Sequence, residues 1–234
     1  MVLKQIAHIE CDFCEKFGIP RQSGLVETAA RIVFEKDFAD EKAFRGIQEY
    51  SHLWLIWHFS ANKQGKFSPT VRPPRLGGNK RMGVFATRSP NRPNPIGLSS
   101  VKLEKVEIIN GQPVLYVSGA DLLNNTPIFD IKPYLAYTDS HADAKGGFSD
   151  EVRDYYLDVV IPKEICSSIP IERISEIREL ISQDMRPSYQ NDPDRIYGFS
   201  YAEYEIKFKV AERTAQVLQI DKKRGKIRKN NSEV

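Results

Sequence analysis

The chain has few cysteines, and their arrangement does not suggest a shared role. Its 234 residues include three, which are Cys11, Cys14 and Cys166. An odd number with this spacing is not typical of a disulfide framework. Cys11 and Cys14 have the spacing of half a zinc or redox site, but structural zinc needs four ligands and no second such pair occurs. We therefore expect no metal site.

Long apolar segments are also missing. The longest apolar run, residues 53–59, already contains His58 and is far shorter than the roughly 18 residues expected of a membrane-spanning helix. The first five residues lack the charged and apolar regions of a signal peptide. Hydrophobic residues make up 41% of the chain and charged residues 28%, as in a globular protein. We expect a cytoplasmic protein with no membrane association.

Acidic residues are absent from residues 50–103. The overall proportion of Asp and Glu predicts about seven in these 54 positions. The same segment contains nine basic residues: Lys63, Lys66, Arg72, Arg75, Lys80, Arg81, Arg88, Arg92 and Lys102. A surface that lacks carboxylates and carries Lys and Arg is suited to a polyanion such as RNA. A merely solvated basic face is the alternative, but it does not explain the missing acids.

Two nucleotide-binding motifs are absent as well. The sequence has no Gly-x-Gly-x-x-Gly after a predicted strand and no Walker-type Gly-Lys-Ser/Thr. Neither a Rossmann cofactor site nor an NTPase is therefore supported.

The most distinctive segment present is residues 81–99, which read Arg-Met-Gly-Val-Phe-Ala-Thr-Arg-Ser-Pro-Asn-Arg-Pro-Asn-Pro-Ile-Gly-Leu-Ser. It begins as a predicted short strand, residues 83–87. Its three prolines then fix φ and push the residues before them towards extended geometry. Arg88 and Arg92 are thereby expected to be held in fixed directions, as in a site for an anion. A rigid surface turn with solvated arginines is the alternative.

Short strands dominate the first part of the chain. Strands are predicted at residues 5–13, 28–34, 51–60, 101–109, 113–117 and 128–134, with a helix at 38–47 capped by Asp40. Asn110-Gly111 is a strong hairpin signal. The apolar run in residues 51–60 indicates a central strand covered on both faces, with His52 as a hydrogen-bonded core residue. This pattern predicts an antiparallel β-barrel.

A smaller module follows a polar linker at residues 140–150. It is predicted to contain a strand at 157–161, a helix at 170–183, and a hairpin of 195–210 with 215–220. Residues 221–234 have six basic and two acidic residues and no apolar periodicity, which indicates a disordered basic tail. We expect a mainly β protein with a barrel domain (1–140), a small α+β module (151–220) and the tail (221–234).

The proline-rich segment resembles the signature of the TrmO (TsaA-like) family of β-barrel methyltransferases. Further blocks that resemble the family are Pro20-Arg-Gln-Ser-Gly-Leu25, Asp130-Ile-Lys-Pro-Tyr134 and Gln183-Asp-Met-Arg-Pro-Ser-Tyr189. The last block has Met185 where the family usually has proline. The resemblance implies a homodimeric, S-adenosylmethionine-dependent enzyme that methylates N6 of threonylcarbamoyl-adenosine at position 37 of tRNA. A non-catalytic RNA-binding barrel is the alternative.

The resemblance also implies roles for individual residues. The cofactor-binding set is Arg21, Gln22, Ser23, Ser60, Ala61, Arg88, Leu98, Asn125, Thr126, Pro127 and Ile128. Asp130 and Lys132 have either a catalytic role or form a buried ion pair, and the sequence leaves this open. From the charge pattern, the RNA-binding set is Arg72, Arg75, Lys80, Arg81 and Arg92.

Overall fold

The computed structural model describes residues 2–62, 65–76 and 80–223, except for the side chains of Arg75 and Val152. The strands described in the first part of the chain are β1 (Ala7–Cys11), β2 (Ala29–Phe34), β3 (His52–His58), β4 (Thr70–Val71), β5 (Met82–Gly83), β6 (Ile96–Ile109), β7 (Gln112–Ser118) and β8 (Pro127–Pro133). Six of them close into a barrel in the order β1-β2-β7-β6-β3-β8, and every neighbouring pair is antiparallel. The predicted antiparallel barrel is confirmed.

Strand β3 crosses the barrel between β6 and β8. Its side chains alternate, so that Leu53, Leu55 and Trp57 are buried in the core while the residues between them are only half-buried. The expectation of a strand covered on both faces is wrong, because in a barrel of this kind one face of each strand lines the core and the other lies outside. His52 consequently lies on the outer face, where its Nδ1 is 2.9 Å from the Ser51 hydroxyl, and is not a core residue.

The hairpin between β6 and β7 lies at Asn110 and Gly111, as predicted. Both residues have positive φ, 52° and 75°, which the favoured two-residue hairpin turn requires. Strand β6 begins at Ile96, five residues before the predicted start at Val101. The additional residues pair with the second half of β3, where Ile96 is opposite His58 and Ser100 is opposite Trp54. The proline-rich segment therefore leads directly into the barrel wall.

The predicted helix at residues 38–47 is not a single element. Three short 3₁₀ helices lie in this region: Lys36–Phe38, Glu41–Phe44 and Ile47–Glu49. Gly46, with φ 86°, separates the last two, because a left-handed residue cannot continue a helix. The capping role of Asp40 is confirmed, since its carboxylate accepts a hydrogen bond from Lys42 N at 2.9 Å.

The C-terminal part of the chain forms a second sheet. After the short helix α1 (Ala136–Asp139), this part of the chain contains the helices α2 (Lys163–Cys166) and α3 (Ile171–Ser182). Its strands are β9 (Asp158–Val160), β10 (Tyr197–Tyr201), β11 (Tyr204–Ala211) and β12 (Thr214–Lys222). The strand order is β10-β11-β12-β9. Helix α3 buries Ile174, Ile177, Leu180 and Ile181, which is the apolar stripe expected of a surface helix.

The predicted tail begins too early. Asp221 and Lys222 belong to β12, where they pair with Glu205 and Tyr204 of β11. Lys223 is also described, with its N–H donating to Glu203 O at 2.7 Å, and residues 224–234 of the predicted tail lie outside the described residues. The division of the chain into domains stays a prediction.

The C-terminal module packs against one connection of the barrel, residues 12–28 between β1 and β2. Phe13 and Val26 are part of the module's apolar core. Arg173 of α3 donates to Asp12 at 2.8 Å, and Ser200 N of β10 donates to Glu15 at 2.6 Å. The module therefore covers the end of the barrel at which β1 ends.

No helix among the described residues is both long and apolar enough to cross a membrane.

Candidate functional site

The cofactor-binding residues expected from the sequence lie in four segments, and the topology brings these segments to one end of the barrel. Because the barrel strands are antiparallel, β1, β3 and β7 end where β2, β6 and β8 begin. The β1–β2 connection, the end of β3, the start of β6 and the β7–β8 connection therefore adjoin. Backbone hydrogen bonds join them: Gly24 N donates to Gly119 O at 2.9 Å, and Phe59 N donates to Pro95 O at 2.9 Å.

The proline-rich segment starts differently from the prediction. Only Met82–Gly83 is a strand, β5, and residues Val84–Ala86 form a 3₁₀ helix where a strand was expected to Thr87. Val84 N donates to Pro69 O at 3.0 Å, and the Thr87 hydroxyl donates to Val84 O at 2.9 Å. These local bonds satisfy the backbone in place of a strand partner.

Arg92 has a structural contact within this segment. Its Nη1 donates to Thr87 O at 3.0 Å and to Ser89 O at 3.3 Å. The guanidinium therefore bridges two carbonyls of its own loop, and the prediction of a fixed direction for Arg92 is supported by these bonds.

A cleft of about 530 Å³ lies at this end of the barrel. The predicted cofactor residues that line it are Arg21, Gln22, Ser60, Ala61, Arg88, Leu98 and Thr126. Arg88 Nη1 donates a hydrogen bond to Gln22 Oε1, so two predicted cofactor-binding residues that are 66 positions apart along the chain are in direct contact. Leu98 is 56% exposed, which leaves its side chain open to a ligand.

Trp57 lines this cleft next to Gly97. A Cβ added at Gly97 would lie 2.2 Å from the Trp57 ring, which is far inside van der Waals contact. Glycine in the proline-rich segment therefore allows the strand β6 to approach the indole, and Trp57 packs into the barrel core at 6% exposure.

Four predicted cofactor residues do not line the cleft. Ile128 is fully buried in the barrel core, and Pro127 is in β8 opposite His8. Asn125 has φ 61° and forms the turn before β8, with its N–H donating to Ile9 O at 2.8 Å. The hydroxyl of Ser23 accepts from Ser100 N at 3.2 Å. These contacts hold the loops that carry the lining residues.

Asp121 is one of several cleft residues that were not identified as site residues from the sequence. Asp121, in the β7–β8 connection, lines the cleft and accepts a hydrogen bond from the Ser99 hydroxyl at 2.5 Å. Burial raises the pKa of its carboxyl group, while the Ser99 bond and the charge of Arg88 act in the opposite direction. A single aspartate in a loop has no spacing pattern that would have identified it.

A larger cleft, of about 1690 Å³, adjoins the first and shares Arg21, Gln22, Arg88 and Arg92 with it. Among the described residues that line it, eight are basic and one, Asp150, is acidic. The basic ones are Arg21, Lys66, Arg72, Arg81, Arg88, Arg92, Arg153 and Arg186. Three of the predicted RNA-binding residues, Arg72, Arg81 and Arg92, are therefore brought together. Lys80 does not line the cleft, and the side chain of Arg75 is not described.

Aromatic side chains also line the larger cleft. They are Phe67, Phe85, Phe148 and Tyr155. Phe85 is 76% exposed on the 3₁₀ helix that precedes Arg88. Exposed aromatic rings among arginines are the elements on which single-stranded bases stack.

The C-terminal module contributes to the wall of this cleft through a buried ion pair. Arg186 donates to the Asp184 carboxylate at 2.8 Å from Nε and 3.1 Å from Nη2, and both side chains are buried. Arg21 Nη2 donates to Asp184 O. The same aspartate therefore holds one cleft arginine from its own module and one from the barrel.

Asp130 and Lys132 lie elsewhere. Their side chains form an ion pair of 3.1 Å and are 46% and 63% exposed, so the pair exists but is not buried. Neither residue lines either cleft.

Cys11 and Cys14 form no bond to each other. Cys11 is half-buried and Cys14 exposed, and burial raises the pKa of the Cys11 thiol to about 11. Among residues 2–62, 65–76 and 80–223, no three or more His, Cys, Asp or Glu side chains come together as metal ligands would.

Comparison with known proteins matches both parts of the chain. Residues 8–140 match the family model described as the tRNA-methyltransferase O N-terminal domain, and residues 164–223 match the TrmO C-terminal domain. A tRNA (adenine(37)-N6)-methyltransferase of Escherichia coli is 35% identical over 227 residues, which cover 93% of this chain and 97% of that protein. An Eikenella corrodens protein of the same name is 44% identical over 72% of this chain and 95% of its own length.

A solved structure is also similar. The crystal structure of TrmO from Pseudomonas aeruginosa superposes with a TM-score of 0.73 and 28% sequence identity. The match covers 94% of this chain and 98% of that one, so the similarity includes the barrel and the C-terminal module.

Proposed function

We propose, because the chain belongs to the TrmO family, that it is an enzyme that transfers the methyl group of S-adenosylmethionine to N6 of the adenosine at position 37 of tRNA. The two bacterial relatives described above that carry this name match the chain over most of their own length. The observation that carries the proposal is the pair of adjoining clefts, one of ligand size and one large and basic, with Arg21, Arg88 and Arg92 in the wall that they share.

The smaller cleft suits S-adenosylmethionine in size and in chemistry. Its volume of about 530 Å³ lies within the range of small-molecule sites. Arg88 offers a planar pair of donors for the cofactor carboxylate, and Leu98 offers an apolar wall for adenine. When bound, the cofactor supplies an electrophilic methyl group on a positively charged sulfur.

The protein's part in methyl transfer is mainly alignment. S-adenosylmethionine would supply a methyl group for in-line displacement by N6, which would leave the sulfur as the neutral thioether of S-adenosylhomocysteine and release the N6 proton to solvent. Holding the two reactants in line is sufficient for much of the acceleration. In this proposal the nucleic acid and the cofactor lie on opposite sides of the three arginine side chains that both clefts share.

The modified base is a finer part of the proposal. A free adenine amino group is a poor nucleophile because its lone pair is delocalised, and a carbamoyl group makes the remaining N–H easier to lose. The carboxylate of a threonylcarbamoyl group would meet the basic cleft. Polar groups that are matched to such a handle are left unpaired without it, which can cost several orders of magnitude in rate.

We give Asp130 and Lys132 no catalytic role within a single subunit, because they are exposed and line neither cleft. A catalytic role for them would require a second subunit or the bound tRNA to cover this face. The homodimer and the cytoplasmic location expected from the family resemblance remain part of the proposal, and sedimentation of the purified protein tests the first.

The experiment incubates the protein and labelled S-adenosylmethionine with tRNA from cells that can or cannot make threonylcarbamoyl-adenosine. We expect incorporation only into the modified tRNA, with the label in the N6-methylated nucleoside. Equal incorporation into both would refute the requirement for the modification. Absence of both cofactor binding and incorporation would instead favour the non-catalytic RNA-binding barrel, which gives no reason for the smaller cleft.

A further inference from the structure

The smaller cleft contains one carboxylate in a strongly basic setting. Asp121 is the only acidic residue among the described residues that line it. The basic ones are Lys16, Arg21, Arg88 and Arg92. A cleft built only to attract anions has no use for an aspartate, so this carboxylate needs a reason of its own.

A chain of hydrogen bonds determines the orientation of Asp121. The Trp57 indole donates from Nε1 to the Ser99 hydroxyl oxygen at 2.9 Å. The Ser99 hydroxyl in turn donates to Asp121 Oδ1 at 2.5 Å. Because the indole can only donate, the serine proton is directed to the carboxylate. A backbone N–H of Ser23 also bonds to it.

This arrangement keeps the carboxylate an acceptor despite its partial burial. An asparagine oxygen could accept the same bond from Ser99, so the hydrogen-bond chain alone does not require a negative charge. The charge is therefore available for a ligand. Arg88 and Asp121 both line the smaller cleft, and the charge of Arg88 acts to lower the pKa of the Asp121 carboxyl group, so the cleft contains both a positive and a negative group.

An α-amino acid carries the complementary pair of charges on neighbouring positions. We propose that Asp121 binds the α-ammonium group of the methionine part of S-adenosylmethionine while Arg88 binds its α-carboxylate. This inference rests on the proposed function. The ammonium is favoured over the sulfonium because it has three N–H donors for a carboxylate, whereas the sulfonium has none.

Three probes separate the parts of the cofactor that Asp121 could contact. They are S-adenosylmethionine, S-adenosylhomocysteine, which lacks the sulfonium charge, and 5′-methylthioadenosine, which lacks the amino-acid head. With Asp121→Asn we expect binding of the first two to weaken by about 10- to 100-fold, the range of a hydrogen bond between charged groups. Binding of methylthioadenosine should change less than about twofold. Asp37→Asn, an exposed aspartate outside both clefts, is the matched control and should leave all three unchanged.

Other outcomes overturn the inference in distinguishable ways. Loss of methylthioadenosine binding as well would place Asp121 at the ribose or adenine. Loss for S-adenosylmethionine alone would place it at the sulfonium, and unchanged binding of all three would leave it a structural residue. If wild-type protein bound none of the probes, the proposed function itself would fail.

A measurement on the wild-type protein keeps the test independent of folding of the variant. S-adenosylhomocysteine without its α-amino group should bind the wild type about 10- to 100-fold more weakly than the complete compound. In Asp121→Asn that amino group should add little affinity. Equal effects of removing the amino group in both proteins would show that Asp121 and the ammonium do not interact.

Discussion

The charge of the larger cleft leads to a quantitative prediction for tRNA binding. Arg72 and Arg81 both line this cleft, and Arg81 Nη1 is held 2.9 Å from the neutral Thr70 hydroxyl. Asp150 is the only acidic residue among the described residues that line this cleft, so the net positive charge of the cleft is available for phosphate groups. We therefore choose the double substitution Arg72→Gln and Arg81→Gln.

The expected magnitude follows from counterion release. Each lost phosphate contact flattens the slope of log K against log salt by about 0.7–0.9, so two contacts flatten it by about 1.4–1.8. Between about 50 and 200 mM salt, the wild type should then lose about tenfold more affinity for tRNA than the variant does.

Fluorescence anisotropy of labelled tRNA, titrated at several salt concentrations, measures this slope. The control is Arg31→Gln with Lys36→Gln, which removes the same charge from exposed positions that line neither cleft. An unchanged slope in the Arg72 and Arg81 variant, or an equal change in the control, would refute the assignment of this cleft to RNA.

Two further predictions concern the walls of the larger cleft. Phe85→Ala should weaken tRNA binding by about 1–3 kcal/mol through lost base stacking and leave cofactor binding unchanged, since Phe85 lines only the larger cleft. Anisotropy measures tRNA binding and calorimetry measures cofactor binding. A similar loss of tRNA affinity in Tyr137→Ala, an exposed aromatic outside both clefts, would contradict the role of Phe85 in stacking. Asp184→Asn should lower the free energy of unfolding by about 3–5 kcal/mol, because it leaves the buried Arg186 without its charged partner while asparagine still tolerates the positive φ of 47° at this position. Urea denaturation measures this loss, with exposed Asp194→Asn as the control, and a loss below about 1 kcal/mol would mean that the pair is well solvated.

The barrel could be predicted from sequence because its signals are local. Alternating burial, the Asn110-Gly111 turn and the proline-rich entry to β6 each depend on a few neighbouring residues. The misassigned segments show the limit of such signals. Residues 83–87 are too short and too uniformly apolar for periodicity to separate a strand from a helical turn. The predicted helix at 38–47 is interrupted twice, by the extended backbone of Asp40 and by the left-handed Gly46.

The lining of the smaller cleft was only partly predictable. Arg21, Gln22, Ser60, Ala61, Arg88, Leu98 and Thr126 lie in segments with a recognisable family pattern. The contact between Trp57, Ser99 and Asp121 joins positions 42 and 22 residues apart along the chain. It depends on the register of β3 against β6, where Trp57 is opposite Gly97. Such a register cannot be predicted from the sequence of either strand alone.

The wall of the larger cleft was also only partly predictable, because it combines residues that are distant from one another in the sequence. The acid-free segment predicted one basic surface from contiguous residues, yet Arg21, Arg153 and Arg186 reach the cleft from outside that segment. Asp184 positions two of these three arginines, since its carboxylate accepts a hydrogen bond from Arg186 and its carbonyl oxygen accepts one from Arg21. Because Arg21 also lines the smaller cleft, the C-terminal module helps to position a side chain that faces both proposed ligands. The module is therefore part of the site's construction and not only an attachment to the barrel.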